Sequence, residues 1–319
     1  MKIDLVASLP HYVDHALPIF EELPGDVRGR VQPLEYPPPF PTPGRAALVA
    51  SWQDVAQLSG RATMIYVEHG AGQGYAGDPA SARMPGYSTS GGERHLGVVG
   101  FIAPSQAVAD RWTTAPAVAV GCPKLDRYLR EPRVIDRWSV CFAWHWDGHS
   151  VSQEASTAWH HYSVEMPEIV RRLQRQGFEV YGHAHPRWNG RLDEALSRCG
   201  FDAVLPTDAD VLTRCGTLFV DNSSLGMEMM AVGGVTAWLN APWYRRDVQH
   251  GGRFWNWTIG VPEINGPEDM IDLDAGTILN WGPEGREARD RLVASTYQYT
   301  DGSSSKRAAQ WIVDLIGQR

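Results

Sequence analysis

Short apolar runs alternate with stretches that are apolar at helical spacing, and this rhythm runs through the chain twice. Ile3 to Ala7, Ala46 to Ala50, Thr63 to Glu68, Val98 to Ala103 and Ala117 to Gly121 read as strands, with helices over Tyr12 to Leu23, Gln53 to Leu58 and Ser105 to Trp112 between them. A charged helical linker, Leu125 to Arg137, then leads to a second series. Its strands are Val140 to Trp144, Glu179 to Gly182, Leu218 to Asp221 and Val235 to Leu239, among helical patterns at Gln153 to Gln176, Leu192 to Arg198, Asp208 to Arg214 and Arg286 to Gly317. Strands that alternate with helices specify a parallel sheet covered by helices. Two such series predict an α/β chain with two Rossmann-like domains facing a central cleft. The domains are expected at 1–124 and 138–300, with a C-terminal helix in 301–319 set to pack back toward the first.

The bulk numbers agree with a two-domain globular protein: 319 residues, 43% hydrophobic and 21% charged. The start lacks the apolar core of a signal peptide, and no apolar run reaches the ~20 residues of a membrane span, so a cytoplasmic protein without a transmembrane segment is expected. The four cysteines form no C-x-x-C pair, which speaks against a zinc site or a disulfide frame. A net charge of -8 argues against broad capture of nucleic acid or anionic lipid. Arginine clusters at Arg127 to Arg133, Arg171 to Arg175 and Arg286 to Arg291 have helical spacing with acids nearby and read as solvated faces. The 13 Trp residues leave room for stacking against flat ligands.

The stretch Leu218 to Met230 is the most suggestive for function. A short apolar run ends in Asp221, turns on Asn222, Ser223 and Ser224, and enters a helix whose Leu225, Met229 and Val232 share a buried face. Hydroxyls and backbone N–H groups at such a helix start suit an anion. Ser224 and Glu228, four apart, share one side of the helix, so a phosphate on the serines would leave Glu228 placed for ribose hydroxyls. The alternative is an ordinary N-cap with a solvated glutamate.

Other candidates have plain structural readings beside them. His69 ends a strand, where an open α/β sheet faces its ligand crevice, or it only caps that strand. Gly70, Gly72 and Gly74 lack the spacing and the following helix of a dinucleotide fingerprint. Asp208 and Asp210 match the D-x-D by which many sugar transferases hold Mn²⁺ or Mg²⁺, but they open a helix, where aspartates are common for dipole reasons, and no metal is expected. His183 and His185 alternate along an extended segment before Arg187 and suit a diphosphate, or they are packed histidines. His145, within Trp144 to Gly148, borders the same place, or belongs to an aromatic surface.

Taken together, these short motifs resemble the CDP-glycerol glycerophosphotransferase family of the GT-B class of nucleotide-sugar transferases. Glu68-His69-Gly70 resembles its W-H-G, Val120 to Asp126 its G-x-P-x-x-D, and Ala143 to Trp146 its P-T-W-R. His185-Pro186 resembles its R-x-H-P, Val220 to Ser224 its T-D-Y-S-S, and Thr300 to Arg307 its closing D-G-x-x-x-x-R. The resemblance implies a GT-B fold, with acceptor bound by the first domain and a nucleotide-diphosphate donor of the UDP-sugar or CDP-glycerol type by the second. His69 would be general base or phosphate contact, His185 a donor-phosphate contact, and Ser223 and Ser224 would hold the diphosphate. The family's T-P after H-G is Ala71-Gly72 here, its P-T-W-R arginine is Trp146, and its basic membrane-docking segment is absent. The expected function is metal-independent transfer of a sugar or glycerol-phosphate group to an acceptor hydroxyl; a first alternative keeps this chemistry with a nucleotide-sugar donor and a small molecule, a glycan or a modified base in DNA as acceptor. A nucleotide-sugar 2-epimerase is a second alternative, and a non-catalytic nucleotide-binding module a third.

Overall fold

Side chains that alternate between two apolar layers need helices on both faces of their sheet, and this requirement organises the chain twice. The structure is a computed structural model that describes residues 1–33, 44–69, 97–110, 112, 114–131, 134–148, 156–244 and 261–317. Described residues up to Glu131, together with those from Ala294 onward, form one compact unit, and those between, to Val293, form the other.

The first unit holds β1 (Lys2–Ala7), β2 (Arg28–Pro33), β3 (Arg45–Val49), β4 (Met64–Val67), β5 (Val98–Ala103) and β6 (Ala117–Ala119) in the parallel order β2-β1-β3-β4-β5-β6. Its helices are α1 (Pro10–Glu22), α2 (Trp52–Leu58), α3 (Gln106–Ala109) and α4 (Asp126–Arg130). Ile3, Leu5 and Leu48 enter the layer of α1, whereas Val6, Ala47 and Val49 enter that of α2. The strand β2 departs from the sequence reading, which saw no strand in Arg28-Gly-Arg-Val-Gln-Pro33. It is an edge strand that β1 recruits, and the buried Asp4 accepts from the Arg30 N–H at 2.9 Å and from Arg45 Nε at 2.6 Å.

The second unit holds β7 (Ser139–Trp144), β8 (Glu179–Ala184), β9 (Ala203–Val204), β10 (Thr217–Val220), β11 (Val235–Leu239) and β12 (Glu263–Ile264) in the parallel order β12-β11-β10-β7-β8-β9. Among them run α5 (Trp159–Tyr162), α6 (Met166–Arg175), α7 (Asp193–Arg198), α8 (Asp208–Arg214), α9 (Leu225–Ala231), α10 (Pro267–Asp272) and α11 (Ala275–Glu284). On α6, Met166, Ile169, Val170 and Leu173 are buried, while Arg171 and Arg175 pair with Glu168 at 2.5 and 3.0 Å, a solvated face as its spacing suggests. The chain steps from β7 out to β9, then reverses to build β10, β11 and β12 on the other side of β7. A reversal of this kind leaves a crevice above the carboxyl ends of the two strands that flank it, here β7 and β10.

The helical end read from Arg286 onward is two helices, α12 (Arg286–Thr296) and α13 (Ser304–Gly317). Ala308, Ile312 and Leu315 of α13 join Tyr12, Ala16 and Ile19 of α1 in the first unit's core. Two motifs noted in the sequence meet at its start. Asp126 is buried and accepts from the N–H groups of Ser304 at 2.9 Å and Ser305 at 2.7 Å, capping α13 from outside the helix. Gly121, at φ 93°, passes so near Tyr299 that a Cβ would lie 2.5 Å from its carbonyl oxygen. Among the described residues no helix is long and apolar enough to cross a membrane.

Candidate functional site

The crevice of the second unit is built on Asp221, the residue after β10. Its carboxylate is fully buried and accepts from the His145 N–H at 2.8 Å, the Thr157 hydroxyl at 2.9 Å and the Ala158 N–H at 2.8 Å. Burial pushes this carboxyl up to about 6 against the three donors, which leaves it ionised at neutral pH. Asp221 thereby ties the ends of β7 and β10 together at the point where strand order reverses. Its only local signal in the sequence is an acid closing an apolar run.

Beyond this tie, Ser223 Oγ accepts from the Leu225 N–H at 3.3 Å, so that hydroxyl does serve as a cap. The Ser224 hydroxyl makes no cap bond at the start of α9. Glu228 is 2% exposed, which removes its reading as a solvated helix residue, and Asn222 in the turn is buried at 6%. The helix is buried more widely than one face: Met227, Met229 and Met230 are all within the core. Gly226 permits this, because a Cβ there would lie 2.6 Å from the Trp238 ring.

The neighbouring strand ends β7 and β8 are laced together. His185 donates its N–H to the Trp144 carbonyl at 2.9 Å, the Trp188 indole donates to the His145 carbonyl at 3.0 Å, and the His145 and His185 rings meet edge to face at 5.4 Å. His185 Nδ1 accepts from the Arg187 N–H at 3.1 Å, so the neutral ring carries its proton on Nε2 as a donor. Arg187 lies 4.7 Å over the Trp146 ring, bringing a guanidinium to the residue that replaces the motif's arginine.

His183 departs from expectation. It is 2% exposed, with Nδ1 bonded to the Leu205 carbonyl at 2.8 Å and Nε2 to Asp208 at 3.1 Å, so both ring nitrogens are engaged inside the unit. Asp210 completes a cap, its N–H donating to Thr207 Oγ1 at 3.1 Å and its carboxylate accepting from that hydroxyl at 2.6 Å. The D-x-D pair thus serves a histidine and a helix start. Among the described residues no three His, Cys, Asp or Glu side chains converge as metal ligands.

Neither the protein-family models nor the curated proteins yield a match to this chain. Solved structures do. The wall teichoic acid polymerase TagF aligns over 99% of this chain and 90% of its own at 15% identity, with a TM-score of 0.63. MnaA of S. aureus, solved with UDP, aligns over 99% and 98% at 12% identity and a TM-score of 0.54. The UDP-GlcNAc 2-epimerase from Neisseria meningitidis, bound to UDP-GlcNAc, aligns over the full length of both chains at 9% identity and a TM-score of 0.54. The fold is GT-B.

In the first GT-B unit, His69 follows β4 and packs on α1, its ring 5.0 Å from Tyr12 and 5.6 Å from His15. His11 lies one turn before His15, its ring 4.0 Å from Tyr12. Beside His69 stands Glu68. Burial pushes its carboxyl up to about 8, and the Tyr66 hydroxyl at 3.5 Å lowers it only partly, so Glu68 is a neutral acid at pH 7. Part of the residue reaches the surface, but Oε2 is sealed and has no hydrogen-bond partner among the described residues. The segment from Gly70 to Arg94, with its glycine pattern and lid reading, lies outside the described residues.

Proposed function

We propose that the protein is an enzyme of the GT-B type that binds a nucleotide-diphosphate donor in its second unit and transfers a sugar or glycerol-phosphate group to an acceptor hydroxyl. The observation that carries this reading is the Asp221 tie at the strand reversal. It sets the Ser223-Ser224 turn on one side and His145, His185 and Arg187 on the other, all at the carboxyl ends of adjacent strands. Such a set offers hydroxyls, a ring N–H and a guanidinium to a leaving diphosphate, and preorganised donors at developing charge are the usual main source of rate. Glu228 is assigned to the donor's ribose and Asn222 to the same turn. His69 takes the acceptor proton. The chemistry is read as metal-independent. UDP and UDP-GlcNAc in the similar epimerase structures, and CDPG soaked into TagF, support this donor class.

Changing Ser223→Ala and Ser224→Ala together is expected to weaken nucleotide-diphosphate binding by on the order of 1–3 kcal/mol, the loss of charge-assisted hydrogen bonds. Calorimetry with UDP and CDP checks this, and unchanged affinity refutes the assignment. A second reading, a 2-epimerase, is favoured by the end-to-end match to an epimerase of similar length. Incubating UDP-sugars and CDP-glycerol with the protein in EDTA, without acceptor, separates the two. Mass and NMR analysis that finds the donor sugar inverted establishes the epimerase, and an intact donor that is consumed only when an acceptor is added establishes the transferase.

A further inference from the structure

The second unit has another cavity, on the edge of its sheet opposite the candidate donor site. It is about 230 Å³ in volume and lies at the amino ends of β10 and β11, where Thr217 and Val235 begin those strands. Arg137, Arg286 and Arg289 line it together with mostly apolar residues, and among the described residues no acidic one does. Asp290 pairs with Arg289 at 2.8 Å and Glu287 with Arg291 at 2.5 Å, both carboxylates standing well out in solvent. Arg137 donates to the Leu279 carbonyl, which fixes its guanidinium against α11. Arg286 forms no ion pair among the described residues.

Three guanidiniums, of which among the described residues only Arg289 has an acidic partner and that one solvent-exposed, in a chain of net charge -8, concentrate positive potential in one concave place. Their planar forks match the oxygens of a phosphate, which three can share. Ile135, Val235, Ile278 and Leu279 add an apolar wall. Drug-sized sites occupy ~300–1,000 Å³, so this cavity fits a small ester and not a whole nucleotide sugar. We propose that it is a second binding site, for a phosphate monoester with a compact apolar body. The helix α9 runs between the two places: its N-cap, Ser224, belongs to the donor crevice, and Gly233, two residues past its end, lines this cavity. The proposal does not depend on the donor reading.

Phenyl phosphate is the probe, titrated calorimetrically into the full chain at low salt. The wild type is expected to bind it, the Ser223→Ala/Ser224→Ala variant to bind it equally, and Arg286→Gln to bind it roughly 10–100-fold more weakly, the worth of a charge-assisted bond. Arg286 is an exposed first-turn residue of α12, and an unchanged melting temperature shows that the variant remains folded. No heat from the wild type, equal affinity in Arg286→Gln, or loss in the serine variant overturns the proposal. Co-sedimentation with vesicles containing phosphatidic acid, a lipid phosphate monoester, tells the two sources of such a phosphate apart: Arg286-dependent pelleting assigns it to a lipid headgroup, and no pelleting to a free metabolite.

Discussion

Asp221 and Glu68 are both carboxyl groups raised by burial, and their neighbours leave one charged and the other neutral at pH 7. Three donors hold Asp221 near 6 and ionised, whereas Glu68 has one long contact from Tyr66 and stays protonated to about 8. The native state therefore binds the Glu68 proton more tightly than the unfolded chain, whose carboxyl titrates near ~4.3. Stability from this group is intact below that pH and is lost as pH rises toward 8. Glu68→Gln keeps the shape and removes the titration, so its stability relative to wild type should climb between pH 5 and pH 8, by on the order of 2–4 kcal/mol after allowing for partial exposure. Urea unfolding at the two pH values measures it, and a gap that does not change with pH contradicts it. For the adjacent His69, replacement by Ala is expected to lower turnover about 10²–10⁴-fold, as loss of a positioned base does, with donor affinity nearly unchanged. Loss of donor binding would make His69 a phosphate contact instead; unchanged rate and binding would make it structural and turn attention to His11.

The caps and strand ends carry the next set of consequences. With Asp126 gone, the first turn of α13 loses an acceptor for two backbone N–H groups in a buried place. Asp126→Ala should cost about 2–4 kcal/mol and speed amide exchange in Ser304–Gly317 before that of β7 or β10. Exchange rising equally everywhere would deny the clasp. Elements with strong local patterns were legible in the sequence: Val98–Ala103 and Val235–Leu239 are apolar runs, and Asp208–Arg214 opens with its own cap. Others were not, because tertiary pairing makes them. Arg28–Pro33 is polar and extended only against β1, Glu263–Ile264 is two residues long, and Ala275–Glu284 contains Gly276, Gly282 and Pro283, poor helix formers that packing retains. The same division holds in the site. The helix start at Ser223 and Ser224 could be read from spacing, but the Asp221 bond to Thr157 spans 64 positions and leaves no local trace. For His183 the packed-histidine reading describes its surroundings. Taken to end at Gly182, β8 in fact runs to Ala184, so His183 pairs with Ala143 inside the sheet and its ring enters the layer of α8.

The first unit is interrupted in sequence: it is left after Glu131 and resumed at Ala294, and its core lacks Ala308, Ile312 and Leu315 until α13 is in place. The second unit is continuous between those points. During synthesis the order of completion is thus the reverse of the order of coding. The 173 residues from 131 to 304 take roughly 9–35 s at about 5–20 residues per second, and for that interval α1 presents Tyr12, Ala16 and Ile19 with no helix to cover them. Nascent chains arrested with residues up to 300 outside the ribosome should show a protease-resistant second unit and a cleavable first one, and chains arrested past 317 should protect both. Such an exposed interval is the stage at which a ribosome-bound chaperone has the most to hold.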